Sequence, residues 1–127
     1  MCGAYEKLYF NIADKAHDAA GLGNTKDKEW ATTTIKLGWD VQGIHPSGED
    51  GSHINGVDVC KQAGIVAAAD DWGLLNIYKY PVLDNTHESS SYTGHSEHVT
   101  RAVWNQAGDK LWTVGGQDKT LIQWKKK

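Results

Sequence analysis

The sequence predicts an all-β chain built of repeated antiparallel meanders, on three observations. Val59-Cys60-Lys61-Gln62-Ala63-Gly64 lies over Val103-Trp104-Asn105-Gln106-Ala107-Gly108 at an offset of 44, and Tyr78-Lys79 lies over Trp124-Lys125 at an offset of 46. Offsets of this size are the signature of repeat architectures. Six Trp and five Tyr are spread among 14 Gly with only two Pro, and aromatic residues set between glycine turns favour short strands. No segment carries a convincing helical spacing of apolar residues.

The second copy of the repeat is the clearer one. Residues 99–105 alternate Val99, Arg101 and Val103 against Thr100, Ala102 and Trp104, as in a strand with both faces partly covered. A turn at 106–110 leads to the β-branched and aromatic run 111–114; a second turn at 115–119 leads to a third strand, 120–124. The first copy reads the same way through 54–60, 65–69, the turn Asp70-Asp71-Trp72-Gly73, and 74–80. Pro81 closes that strand and 84–87 form a loop. The polar, Ser-rich run 88–93 suits an outer edge strand. Upstream the pattern is partial: 3–10 resembles a turn and third strand, 14–28 reads as a long surface loop, 33–39 alternates as a half-buried strand, and 45–51 is loop again.

The 127 residues make one small domain at most, since domains usually run to about 100–200 residues. For its mass the scaling rule gives a compact fold an accessible surface of about 6,700 Å². A formal net charge of −3 supplies no global positive field for nucleic acid or an anionic membrane, so neither is an expected partner. Cys2 and Cys60 are too few for a disulfide framework and point to a reducing compartment. No basic region followed by an apolar stretch opens the chain, and no run reaches the length of a membrane span. The expectation is a chain that is neither secreted nor embedded in a membrane.

Gly94-His95, a strand, then Gly115-Gly116-Gln117-Asp118 and Trp124 in a unit of about 45 residues resembles a WD-repeat propeller blade. Trp39-Asp40-Val41-Gln42-Gly43-Ile44-His45-Pro46, Asp50-Gly51-Ser52-His53-Ile54-Asn55, Ala69-Asp70-Asp71-Trp72-Gly73 and Tyr80-Pro81 look like the C-terminal blades of the echinoderm microtubule-associated protein-like family. Gly94 to Thr100, the 115–118 turn and Ile122-Gln123-Trp124 fit the end of that family's last propeller. The resemblance implies a partial WD-repeat β-propeller of about two and a half blades of four-stranded antiparallel meanders. A partial blade with a long loop spans 1–40, a full blade 41–93, and a three-stranded last blade 94–127. Propellers close with roughly four to eight blades, so the remaining blades are expected from a parent chain, another copy or a partner chain.

The resemblance also implies a hydrogen-bonded structural tetrad in which His95, Asp118 and Trp124 match the family pattern. The hydroxyl position is read as Val114, which would break the chain of hydrogen bonds and leave Val114→Thr as a repair. In the preceding blade Tyr78 replaces Trp, Asp71 sits in the turn, and Asp50-Gly51 stands in place of Gly-His, so a tetrad is not expected there.

No residues spell out catalysis. His95 and His98 on a loop lack the convergence and third ligand of a zinc site, and the adjacent Asp70 and Asp71 suit turn capping better than paired acid and base roles. Phosphate-loop and G-x-S-x-G patterns are missing, so no cofactor, metal or catalytic residue is expected. A metal-dependent hydrolase using His95, His98 and Asp71 is the rival reading. Aromatic platforms for single-stranded nucleic acid would need a basic groove as well as tryptophans. The family resemblance implies a non-catalytic scaffold for tubulin or microtubules in the cytoplasm and cytoskeleton, cilium or flagellum axoneme included, or for another microtubule-associated protein. A generic WD-repeat module with a non-tubulin partner is the alternative. Tubulin surfaces are acidic, which makes Lys119, Lys125, Lys126 and Lys127 the expected contacts, with Asp71 and Trp72 on a channel-rim turn as further candidates.

Overall fold

The computed structural model describes the chain except for residues 1, 4, 5, 49 and 50. Two sheets dominate. The first is a four-stranded antiparallel meander of β5 (Ile54–Cys60), β6 (Ile65–Asp70), β7 (Leu74–Lys79) and β8 (Ser89–Thr93), hydrogen-bonded in that order. The second is a three-stranded meander of β9 (Val99–Trp104), β10 (Lys110–Gly115) and β11 (Leu121–Lys125). The strands fall where alternation and turn chemistry place them. Trp112 faces Val103 and Gln123 across the second sheet, and Val114 faces Arg101 and Leu121.

The sheets stack face to face, with β9 against β5 and β6. Successive side chains of β6 point to opposite faces of its sheet. Val66 and Ala68 join a core with Val41, Ile44, Ile54, Val57 and Val82, whereas Ala67 and Ala69 join another with Leu75, Val99, Ala102 and Leu111. All four β6 residues are fully buried. A strand covered on both sides reads as an unbroken apolar run rather than an alternating one, as 65–69 does. Polar groups also tie the sheets together: the Asn55 amide donates to the Val99 carbonyl at 3.0 Å, and the Trp104 backbone N–H donates to the Asp58 carboxylate at 2.7 Å. Burial, the largest influence, pushes the Asp58 carboxyl above its ordinary value despite these hydrogen bonds.

The first 40 residues depart from the expectation. The strand expected at 3–10 is broken into β2 (Glu6–Lys7), paired with β1 (Cys2–Gly3), and β3 (Phe10–Asn11), paired with β4 (Ala16–His17); Ala4 and Tyr5 lie outside the described residues. The loop expected at 14–28 includes this hairpin return and one helical turn, α1 (Gly21–Asn24). Asp18 anchors the turn by accepting from the Ala20 backbone and the Asn24 amide. The alternating segment 33–39 forms no strand. Its polar groups turn to side-chain partners instead: Thr33 and Tyr80 hydroxyls both donate to Asp40, Lys36 reaches the Ile54 carbonyl, and His45 meets the Lys36 carbonyl. Alternation alone does not make a strand when no neighbour offers a ladder. Partial burial and the bond to the Asp40 carboxylate at 2.6 Å push the half-buried Tyr80 hydroxyl up to about 12.

A short 3-10 turn, 42–44, helps cover one face of the first sheet, where Ile44 packs with Val57, Val66 and Ala68. The Gly43 N–H donates to the Val82 carbonyl at 2.9 Å, and the backbone of Asp84 passes so near that a Cβ on Gly43 would lie 2.0 Å from its carbonyl oxygen. Only glycine permits that approach.

Candidate functional site

The buried polar centre of the second sheet is a four-residue chain of hydrogen bonds. His95 Nδ1 lies 2.9 Å from Asp118, and Nε2 lies 2.7 Å from the Thr113 hydroxyl. The Trp124 indole N–H donates to the same hydroxyl at 2.8 Å. A neutral imidazole protonated on Nδ1 satisfies every member: His95 donates to Asp118 and accepts from Thr113, which accepts from Trp124. Burial tends to raise the Asp118 carboxyl. Hydrogen bonds from Thr120 and His95 outweigh it and hold the carboxyl at about 2.

Thr113, not Val114, supplies the hydroxyl. The one-residue difference follows from the pleat, which sends neighbours to opposite faces. Thr113 is wholly buried and Val114 is 42% exposed. The family pattern, carried over one residue out of phase, set Val114 at the hydroxyl position, but the ladder pairs Thr113 with Ala102 and Ile122 and turns it inward.

In the first sheet Ala68 occupies the place of Thr113, so the hydroxyl at the centre of such a chain is missing there. Asp70 instead caps the β6–β7 turn, accepting from the Trp72 and Leu74 backbones and from the Asn76 amide. Ser91 donates to Asn76 in turn. Asp71 accepts from Asn55, and Trp72, 63% exposed, rests on the His53 ring. Gly73 has φ +78° and sits against the His95 and Glu97 carbonyls, which locks this turn to the 94–98 loop. Asp50 lies outside the described residues.

The residues of the rival hydrolase reading do not converge. Both His95 nitrogens are engaged within the second sheet, His98 faces Glu97 at 3.9 Å, and Asp71 is held by Asn55. Among the described residues no group of three or more His, Cys, Asp or Glu side chains is placed to hold a metal.

The expected contact residues separate into two groups. Asp71, Trp72 and Lys119 belong to turns at one end of the sheets; Lys125, Lys126 and Lys127 follow the opposite end of β11. Six residues of extended chain put about 20 Å between Lys119 and Lys125. Three lysines missed by the sequence reading, Lys61, Lys79 and Lys110, join Lys125–Lys127 at that second end, since β5, β7, β9 and β11 all finish there. The signal was present in the repeat itself, which sets each lysine beside a turn or a strand end.

Among the described residues much apolar surface is exposed. The outer face of the second sheet shows Val103, Trp112, Val114 and Leu121, each 38% exposed or more. The accessible surface is 8135 Å², against the roughly 6,700 Å² of a compact chain of this mass.

Repeated meanders stacked through apolar faces, with a buried Asp–His–Thr–Trp chain in one of them, are the construction of a propeller blade. The sequence model of the echinoderm microtubule-associated protein second β-propeller matches residues 1–126. The chain belongs to this family. It is a partial WD-repeat β-propeller. It is similar to the ciliary WD repeat-containing protein ctxp80 of Euplotoides octocarinatus, 42% identical over 127 residues, all of this chain and 18% of the relative. The 77 kDa echinoderm microtubule-associated protein of Lytechinus variegatus is 38% identical over 122 residues, 96% of this chain and 18% of the relative. Human echinoderm microtubule-associated protein-like 3 is 34% identical over 123 residues, 97% of this chain and 14% of the relative. The chain thus spans less than a fifth of the length of these relatives.

Proposed function

We propose that this echinoderm microtubule-associated propeller segment is a non-catalytic scaffold that contributes to binding tubulin or microtubules, in the cytoskeleton and in cilia. The observation that carries the reading is the family match across residues 1–126; the name of the ciliary relative supports the location. The segment divides into a partial blade over 1–40, a full blade over 41–93 and three strands of the next over 94–127. Further blades of a parent chain cover the face of Val103, Trp112, Val114 and Leu121, because an apolar sheet face of this size is stable in water only when packed. The lysine-rich end attracts the acidic tubulin surface, and Lys119, Asp71 and Trp72 offer a separate contact at the opposite end.

Co-sedimentation with microtubules tests this. The chain is expected to pellet, and Lys125→Glu/Lys126→Glu/Lys127→Glu is expected to weaken pelleting more than Lys119→Glu, with both effects shrinking at high salt. Pelleting indifferent to the triple reversal would remove the electrostatic contact. A chain that never pellets would favour a WD-repeat module with a non-tubulin partner.

A further inference from the structure

Trp72 is the most exposed tryptophan among the described residues, 63% open to solvent, and the turn that carries it is pinned from three sides. Asp70 accepts from the Trp72 and Leu74 backbone amides at 3.0 and 2.8 Å. The Asp71 N–H donates to the His53 carbonyl at 2.9 Å. On the third side a Cβ on Gly73 would lie 2.9 Å from the carbonyl oxygens of both His95 and Glu97. The indole meets the buried His53 ring at 4.8 Å between centroids, and the rest of it stands in water. An aromatic side chain held in place before a partner arrives offers contact area at little entropic cost. Its exposure does not come from a missing neighbour. The two sheets stack through their faces, and a turn at the end of a sheet stays outside that stack however many blades follow. His53, the 70–73 turn and the 94–98 loop that frame Trp72 all belong to the full blade and its entry into the next.

The charge beside the indole is acidic. Asp71 precedes it, exposed, with one oxygen accepting from the Asn55 amide at 2.8 Å. Glu97 lies on the loop packed against Gly73, its side chain 58% exposed. His98 faces Glu97 at 3.9 Å, Asp118 is buried against His95, and Lys119 is on the next turn along the same end. Carboxylates bordering an open indole suit a cation, which the ring attracts through its face. We infer that Trp72, Asp71 and Glu97 dock a basic segment of a partner protein, which lays an arginine side chain on the indole and pairs its guanidinium with the two carboxylates. Arginine is the fitting cation because its planar group stacks on an aromatic ring and forks towards carboxylate oxygens, whereas an ammonium does neither. The proposal deepens the reading of Asp71 and Trp72 as a contact separate from the lysine-rich end, and rests on it; the two ends then take partners of opposite charge.

The test is fluorescence anisotropy with a short labelled synthetic peptide alternating Arg with Gly. It is expected to bind saturably, its Lys-for-Arg counterpart more weakly and its Glu-for-Arg counterpart not at all. Trp72→Leu keeps apolar bulk and loses the ring face, and should weaken binding about threefold or more, while Trp72→Phe should keep most of it. Asp71→Asn keeps an oxygen for Asn55; combined with Glu97→Gln it should weaken binding by a similar factor, and its effect should shrink at high salt. Lys119→Glu removes a repelling charge and should leave binding equal or tighter. Circular dichroism and thermal unfolding of each variant should match the parent chain, since the altered side chains are exposed. Equal binding by a folded Trp72→Leu chain, by the folded double variant, or of the Arg and Lys peptides would overturn the proposal. So would loss of binding in a longer parent chain containing this segment, because the turn would then be covered. Peptide binding that survives in a chain unable to pellet with microtubules would uphold the docking point and tell only against the tubulin reading; pelleting without peptide binding would do the reverse.

Discussion

Thr113→Val isolates the hydroxyl at the centre of the buried chain while keeping the side chain's shape. The Thr113 oxygen accepts from Trp124 at 2.8 Å and meets His95 Nε2 at 2.7 Å, and the residue is fully buried. Its removal leaves an indole N–H and an imidazole nitrogen without partners, in a place where water does not reach the His95 side chain, 1% exposed. A buried group left unsatisfied costs about 1–3 kcal/mol. Trp124 is only partly buried, and the added methyl is better placed in an apolar site than the hydroxyl was. Both facts hold the sum for two groups to about 2–4 kcal/mol. At about 2.1 cal/mol/K per residue, unfolding entropy for 127 residues converts this to a fall in Tm of about 7–15 °C. The assay is thermal unfolding followed by tryptophan fluorescence and circular dichroism, with Val114→Thr in parallel. Val114 is on the exposed outer face, so Val114→Thr should change stability by no more than about 0.5 kcal/mol. A Thr113→Val chain as stable as its parent, or a Val114→Thr chain clearly more stable, would refute the inward placement of Thr113 and restore the opposite pleat.

Gly43→Ala should destabilise by about 2 kcal/mol or more, read as a lower urea midpoint, because the Asp84 backbone leaves no room for a methyl. Acid should loosen the second sheet. The Asp118 carboxyl titrates at about 2 in the folded chain, below its ordinary value of 3.8. The stability it contributes is present above pH 3.8 and is lost as pH falls towards 2; Asp118→Asn should flatten this part of an acid titration followed by near-ultraviolet circular dichroism. The opposite sign holds for Tyr80, raised from 10.0 to about 12. Its contribution is intact below pH 10 and fades as pH rises through 12, so Tyr80→Phe should reduce the alkaline dependence of unfolding.

The seven main strands were legible because each is bounded by its own turn chemistry. The 44-residue offset between the 59–64 and 103–108 segments also marks two turns that the structure stacks, with the Gln62 amide donating to the Gln106 carbonyl. Residues 33–39 carried a strand's alternation just as clearly and form none, because the ladder of a strand belongs to two segments and alternation belongs to one. Of the buried chain, His95, Asp118 and Trp124 could be singled out in the sequence; Thr113 could not be told from Val114, since the choice between adjacent residues is the phase of the pleat.

By itself, then, the sequence determined the all-β repeat, its turns, and the residue types fit for a buried polar chain, all of which are encoded within single strands and their connections. Only the tertiary structure decided which face of β10 points inward and which lysines share one end of the sheets. The physical reason is that these depend on register and stacking between segments far apart in the chain, where a shift of one residue leaves the composition of a strand untouched and exchanges everything it buries for everything it exposes.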